Sequence, residues 1–238
     1  MIDGPARERV RRRLAAWLAG HLAEWLKPLL ELRDAPLAGV ARGIAFRLVE
    51  GLGLLPRATL ATQLAALAGA DRRALARLGV RLGAHSVWLP ALARRETAAL
   101  LGVLWALHGN RAPPPLPRRR VPSLAADPGL PAEFYQAIGY RLIGDRAVRP
   151  EALEQLSRQA RQLAGQGPFL ATEALGAAVG CHGPALAGLL QALGYRRQGD
   201  GEQAGFVARP RLARSRPKRQ PALPAHSPFA KLRSLRPG

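Results

Sequence analysis

Prolines in the middle of the chain restrict its fold more than any other feature. Residues 109–131 read GNRAPPPLPRRRVPSLAADPGLP. Proline lacks a backbone N–H donor and clashes with the preceding helical turn, so this stretch excludes a helix and a central strand. We therefore predict a Pro/Arg-rich linker over 109–130, between a helical lobe at 5–108 and a second lobe at 131–209. A Pro-rich ligand for a partner domain is the alternative interpretation.

The composition favours a mainly α protein. The chain has 238 residues, of which 48% are hydrophobic, and this is enough to build one large core or two smaller ones. Most of the apolar residues are Ala and Leu, which are strong helix formers. The expected fold is mainly α, with two helical lobes, short β-hairpins, and a second lobe that resembles a winged helix.

The first lobe begins with a helix that we predict over about 5–33, kinked or divided at Pro28. Its apolar residues, which include Trp17 and Trp25, recur at helical spacing on one face. A stripe with two tryptophans is more typical of a core than of an amphipathic membrane helix, so we expect it to be buried. Further along, Gly39 and Gly43 lie four residues apart, a spacing that predicts tight helix packing.

Three short stretches share one pattern, in which a helix closed by Gly is followed by a strand with Arg, a turn, a second strand and Pro. They begin at Leu78-Gly79, Ile138-Gly139 and Leu193-Gly194. We interpret them as three small hairpins that join helices. The first stretch, RLGVRLGAHSVWLP, also holds His85 beside Ser86, but neighbouring side chains on a strand diverge, which argues against a catalytic dyad.

The second lobe has the element order of a helix-turn-helix followed by a wing. The sequence TEALGAAVG predicts a helix capped by Thr172, and the turn GCHGP leads to a second helix, ALAGLLQALG. The wing would pair Tyr195–Arg197 with Phe206–Ala208. Helix-turn-helix units also occur as plain packing modules, so the order alone does not establish a function. Beyond it, we predict a basic disordered tail at 210–238.

The charge is strongly positive, because the chain has 36 Lys and Arg residues but 16 Asp and Glu residues, which gives a net charge of +20. Such an excess is typical of proteins that contact nucleic acid. A GC-rich genome would also favour Arg over Lys, although it explains the shortage of acids less well. The candidate nucleic-acid contacts are Arg81, Arg118, Arg119, Arg120, Arg141, Arg146, Arg149, Arg196 and Arg197.

The sequence contains no motif for catalysis or for metal binding. There is no phosphate loop of the GxxxxGK[ST] type and no HExxH, and the five His residues show no metal-ligand spacing. Cys181 beside His182 is better interpreted as a small buried cysteine in the helix-turn-helix turn. We expect no cofactor, no catalytic residue, no metal and no membrane partner, and a cytoplasmic location.

Several stretches resemble a known family. ARGIAFRLVEGLGLLPR, RLGVRLGAHSVWLPAL, GYRLIGDRAVRPEALEQL and SPFAKL occur in this order. Together they resemble the carboxyl-terminal, non-motor region of alphaproteobacterial superfamily-two helicases, which are related to the mitochondrial degradosome RNA helicase. The resemblance implies an ATP-dependent helicase whose motor domains lie upstream of this region. It carries over no catalytic residue, because the phosphate loop and the DExH acids are absent from these residues.

Two functions follow as hypotheses. In the first, the chain is an accessory region that guides single-stranded RNA or DNA by charge, with helicase motor domains as a further partner. In the second, it is a protein interaction scaffold that docks on a motor or another partner without contacting nucleic acid. The sequence alone does not distinguish RNA from DNA, or a fragment of a helicase from a separate protein.

Overall fold

Two helices occupy the segment that was predicted as one helix over about 5–33. Pro28 lies in the first turn of the second of them, where its missing N–H costs no hydrogen bond. The computed structural model describes residues 4–117, 121–199 and 205–208. In it, α1 spans Gly4–Trp25 and α2 spans Lys27–Asp34. The predicted division of the first helical segment at this proline is therefore confirmed.

The first part of the apolar stripe of α1 is exposed, and the expectation that it is core is wrong there, whereas Trp25 near the end of the helix is half-buried. None of the residues of α1 is buried. Val10, Leu14, Trp17 and Leu18 keep 53%, 60%, 64% and 48% of their surface exposed. Contact with the core begins at Leu26, which packs against the first apolar cluster, and continues in α2, where Leu29 and Leu32 are buried. Helical periodicity shows which residues share a face, but it does not show whether another element covers that face.

The first sheet follows α2, and three helices alternate with its strands along the chain. Its elements are α3 (Gly39–Glu50), β1 (Leu54–Pro56), α4 (Ala61–Ala66), α5 (Gly69–Arg77), β2 (Arg81–Leu82) and β3 (Ser86–Trp88). Gly79 closes the helix with a φ of +82°, as predicted. Added Cβ atoms on Gly39 and Gly43 would meet nothing within 4 Å. These two glycines are therefore not sites of close helix packing, and that prediction is wrong.

The second sheet includes part of the Pro/Arg-rich stretch. Its elements are α6 (Arg95–His108), β4 (Ser123–Ala125), α7 (Ala132–Ala137), β5 (Arg141–Ile143) and β6 (Arg146–Val148). Strand β4 pairs with β6 and lies at the edge of the sheet. The stretch that was expected to be a linker thus supplies an edge strand, which is a position where a neighbouring proline such as Pro122 is tolerated.

The third sheet completes the described part of the chain. Its elements are α8 (Pro150–Ala164), β7 (Phe169–Leu170), α9 (Glu173–Ala177), α10 (Gly183–Ala192), β8 (Tyr195–Gln198) and β9 (Gly205–Ala208). The hydroxyl of Thr172 accepts a hydrogen bond from the N–H of Leu175 and caps α9, as predicted. Tyr195 pairs with Ala208 and Arg197 with Phe206, so the predicted register of the last hairpin is confirmed.

The three sheets share one topology. Each has three antiparallel strands, in the orders β1-β3-β2, β4-β6-β5 and β7-β9-β8, so the last strand of each set is central. The three predicted hairpins correspond to β2–β3, β5–β6 and β8–β9. The outer strands β1, β4 and β7 were not predicted, because strands of two or three residues carry too little periodicity to be recognised. Helices dominate the described residues, which confirms the mainly α class.

Three apolar clusters form the core. The first is built around Ile44, Leu48, Leu75 and Val87, the second around Leu153, Leu156, Leu186 and Leu189, and the third around Phe134, Tyr135 and Tyr140. Hydrogen bonds connect the residues on either side of the Pro/Arg-rich stretch, and one of them runs from Gln136 Nε2 to the Gly51 carbonyl oxygen at 3.4 Å. The division into a lobe at 5–108 and a second lobe at 131–209 stays a prediction.

Candidate nucleic-acid interface

The three hairpins place an arginine at equivalent positions. In each, the residue after the glycine is buried, namely Val80, Tyr140 and Tyr195. Successive side chains on a strand point to opposite faces, so the arginine that follows lies on the opposite face from that buried residue. These arginines are Arg81, Arg141 and Arg196, of which Arg81 and Arg196 are exposed and Arg141 is half-buried.

Arg141 lies in a partly desolvated region that it shares with the turn of the first hairpin. Burial lowers the pKa of its guanidinium, and its Nε has no hydrogen-bond partner. The positive charge of Arg141 also contributes to a lowered pKa of His85, although burial of the imidazole is the larger cause. The first hairpin and strand β5 are therefore close enough for their charges to interact.

Glu154 joins that hairpin to α8. Its carboxylate accepts hydrogen bonds from the backbone N–H groups of Ala84 and His85, both at 2.9 Å. A Cβ atom on Gly83 would collide with Glu154 and with the ring of Trp88. Glycine is thus required by space at this turn, and the RLGVRLGAHSVWLP stretch is a joint between packed elements.

Arg146 is bound within the protein. Its Nη2 and Nε donate to the hydroxyl of Ser123 at 2.8 and 3.2 Å. The same hydroxyl donates to the Val179 carbonyl oxygen at 2.6 Å. This network connects β4 and β6 to the turn after α9, so Arg146 has a structural role whether or not it also contacts a ligand.

Arg149 is half-buried and forms an ion pair with Glu151, with 3.4 Å between Nη2 and Oε2. Glu151 also accepts a hydrogen bond from Trp88 Nε1 at 3.3 Å. The other candidates are placed differently. Arg197 is exposed on β8, and Arg118, Arg119 and Arg120 lie outside the described residues, as does the tail predicted at 210–238.

A cavity of about 210 Å³ lies beside Arg149. Its wall is largely aliphatic, and Arg95 at the start of α6 is its second cationic residue. It is lined by Ala93, Arg95, Ala98, Ala99, Leu116, Pro117, Ile138, Gly139, Tyr140 and Arg149. Sequence reasoning named Arg149 but missed the cavity, whose only local signal is the pair of small residues, Ala98 and Ala99, on a Leu-rich helix.

His85 with Ser86, and Cys181, do not form a catalytic arrangement. Ser86 is fully buried and its hydroxyl has no hydrogen-bond partner, so it receives no activation from His85. Cys181 is buried, and burial raises the pKa of its thiol. Over residues 4–117, 121–199 and 205–208, no three His, Cys, Asp or Glu side chains are grouped so that they could hold a metal ion.

Within the described ranges, no helix combines the length and the apolar character needed to cross a bilayer.

Comparisons of the chain with known proteins add no identity to this geometry. No family model, no curated protein and no solved structure matches the chain.

Proposed function

We propose that the chain is a nucleic-acid-binding accessory region of an ATP-dependent helicase, which guides single-stranded RNA or DNA by charge. One observation carries the proposal. Arg81 and Arg196, at equivalent positions of two hairpins, are exposed and form no ion pair among the described residues. A row of phosphates would supply the missing negative charge and release its own counterions on binding.

The repeated topology supports a second part of the proposal, that the lobe at 131–209 contains a winged-helix unit. In α8 to β9, one helix and a short strand precede two helices and a hairpin whose last strand is central. The segment from α3 to β3 has the same order. Helix α10, in the place of a recognition helix, reads GPALAGLLQA and has no charged residue, which favours contact through the hairpin arginines over base reading in a groove.

A salt titration tests nucleic-acid binding. Binding of the full chain to a labelled single strand, RNA or DNA, is measured by fluorescence anisotropy at increasing salt. We expect the logarithm of the affinity to fall linearly with the logarithm of salt concentration, by about 0.7 for each phosphate contacted. The variant with Arg81→Gln and Arg196→Gln should reduce this slope by about 1 to 1.5.

Arg33→Gln is the matched control, because Arg33 is exposed but already forms an ion pair with Asp34 at 2.7 Å. It removes one positive charge from the protein and should leave the slope nearly unchanged. Absence of binding at low salt, or binding that salt does not weaken, would contradict the proposal.

The exposed face of α1 favours a second candidate function, a scaffold that binds a protein partner such as a helicase motor. Val10, Leu14, Trp17 and Leu18 form an apolar patch on a helix without buried residues, and such patches mark interaction sites in many proteins. The test is whether the chain captures separately expressed motor domains, and whether Trp17→Ala abolishes the capture. If both results are found and the chain has no affinity for nucleic acid, the scaffold is established instead.

A further inference from the structure

The size of the cavity beside Arg149 suits one planar ring system. Its volume is about 210 Å³, whereas a cavity of about 150 Å³ lined by aliphatic side chains is enough to hold benzene. The walls come from α6, from Leu116 and Pro117, and from Ile138. Gly102 of α6 lies close to two of these wall residues, because a Cβ there would be only 3.0 Å from Ile138 and 3.2 Å from Leu116.

The charges at the cavity suit a ring that carries an anion. Arg95 is exposed and forms no ion pair in the described part of the chain, while Arg149 is half-buried and only partly neutralised by Glu151 at 3.4 Å. An apolar wall with two guanidinium groups beside it matches the two parts of a nucleotide, a base with a flat apolar face and a phosphate.

Three backbone donors around the cavity are already used. The N–H of Gly139 donates to the Gln136 carbonyl oxygen at 3.1 Å and that of Tyr140 to Tyr135 at 2.7 Å. The N–H of Arg149 donates to the Pro122 carbonyl oxygen at 2.9 Å. These three groups are not available to read the hydrogen-bonding edge of a base, which favours a site that accepts different bases.

We propose that the cavity between α6, Leu116–Pro117 and the α7–β5 junction holds one unstacked base of a single strand, with Arg95 and Arg149 on the adjoining phosphates. The inference rests on the proposed nucleic-acid binding and adds to it a defined base site. Because the strand would be held at one nucleotide by burial as well as by charge, part of the affinity should resist salt.

Fluorescence of 2-aminopurine tests the base site. The full chain is titrated into a short single strand that alternates 2-aminopurine with thymine, and anisotropy of a terminal label reports total binding in parallel. We expect the 2-aminopurine emission to rise about twofold or more at saturation, because a base that enters the cavity leaves its stack. Ala98→Phe, which fills the cavity from α6, should abolish the rise and leave the salt slope of binding unchanged.

Ala65→Phe on α4 is the matched control, since Ala65 is exposed and lies outside the cavity lining, and it should keep the full emission change. Thermal unfolding identifies a variant that fails to fold. For that case Ala99→Leu provides a smaller filling, and Arg95→Gln should weaken binding without filling the cavity.

Binding by anisotropy without an emission change, or an emission change that survives filling of the cavity, would overturn the base site and leave the proposed function standing. Absence of any binding would overturn both. Binding of an acidic peptide with one phenylalanine is measured by anisotropy of a terminal label. If it binds and Ala98→Phe abolishes its binding, while the single strand gives no emission change, the cavity is a peptide site and the inference is wrong.

Discussion

At the scale of single residues, two buried serines show how the same side chain can weaken or strengthen a fold. Ser86 is fully buried and its hydroxyl has no hydrogen-bond partner. Ser123 is also buried, but its hydroxyl bonds to Val179 and receives two bonds from Arg146. A buried polar group costs free energy unless it is paired.

We therefore expect Ser86→Ala to raise the free energy of unfolding by about 1 kcal/mol, because it removes an unsatisfied hydroxyl. Ser123→Ala should lower the free energy of unfolding by about 1–3 kcal/mol, since it leaves the Val179 carbonyl and Arg146 without their partner. Urea denaturation of both variants measures the difference. Equal changes in the two variants would contradict this explanation.

His85 should make stability depend on pH. Its pKa is lowered from the ordinary value of 6.5, chiefly by burial, with Glu154 acting in the opposite direction and Arg161 and Arg141 in the same one. The folded state therefore favours the neutral imidazole. The stabilisation is complete above pH 6.5 and is lost as the pH falls through the lower, folded-state pKa.

We expect the free energy of unfolding to decrease as the pH falls below 6.5, and His85→Gln to reduce this decrease. Urea denaturation at each pH gives the measurement. His108→Gln, at an exposed position, is the control and should keep the pH dependence of the unchanged chain. If His85→Gln keeps it too, the imidazole does not govern stability in this range.

At the scale of elements, α1 and α2 differ in what they contribute to the fold. The structure places no buried residue in α1, whereas α2 buries Leu29 and Leu32. Deletion of residues 1–20 should therefore change the free energy of unfolding by less than about 1 kcal/mol. Deletion of residues 1–34 removes two core leucines and should cost about 4 kcal/mol or more. Thermal unfolding of the two shortened chains compares them directly, and a large loss from the first deletion would show that α1 is packed.

The hairpins were predictable as elements because their signals are local. A glycine at positive φ ends the helix before each one, with φ values of +82°, +83° and +97° at Gly79, Gly139 and Gly194, and this conformation favours glycine in any context. The alternation of side chains then fixes which residue is buried and which arginine faces outward. Local signals can also mislead: Asp71, which precedes RRALARL, is a residue type that often caps a helix, but it lies inside α5, whose N-cap is Ala68.

At the scale of the whole molecule, Glu154 bonds to the backbone of Ala84 and His85, which precede it by 70 and 69 positions in the sequence. Glu154→Ala should lower the free energy of unfolding by about 1–3 kcal/mol, because two backbone N–H groups lose their charged acceptor. Glu50→Ala, at an exposed position, is the control and should have little effect. Unfolding followed by circular dichroism and by Trp fluorescence compares the variants, and equal stability of the two would contradict a role for Glu154 as a joint.

The sequence by itself determined the mainly α class, the ends of several helices, the register of the last hairpin and the strong positive charge. Each of these depends on interactions within a few residues or on composition. Only the tertiary structure decided that Arg146 is bound to Ser123, that Arg149 lies beside a cavity and that the apolar face of α1 is exposed. These properties depend on contacts between residues distant in the sequence, and periodicity and charge do not encode which partner, if any, a side chain will meet.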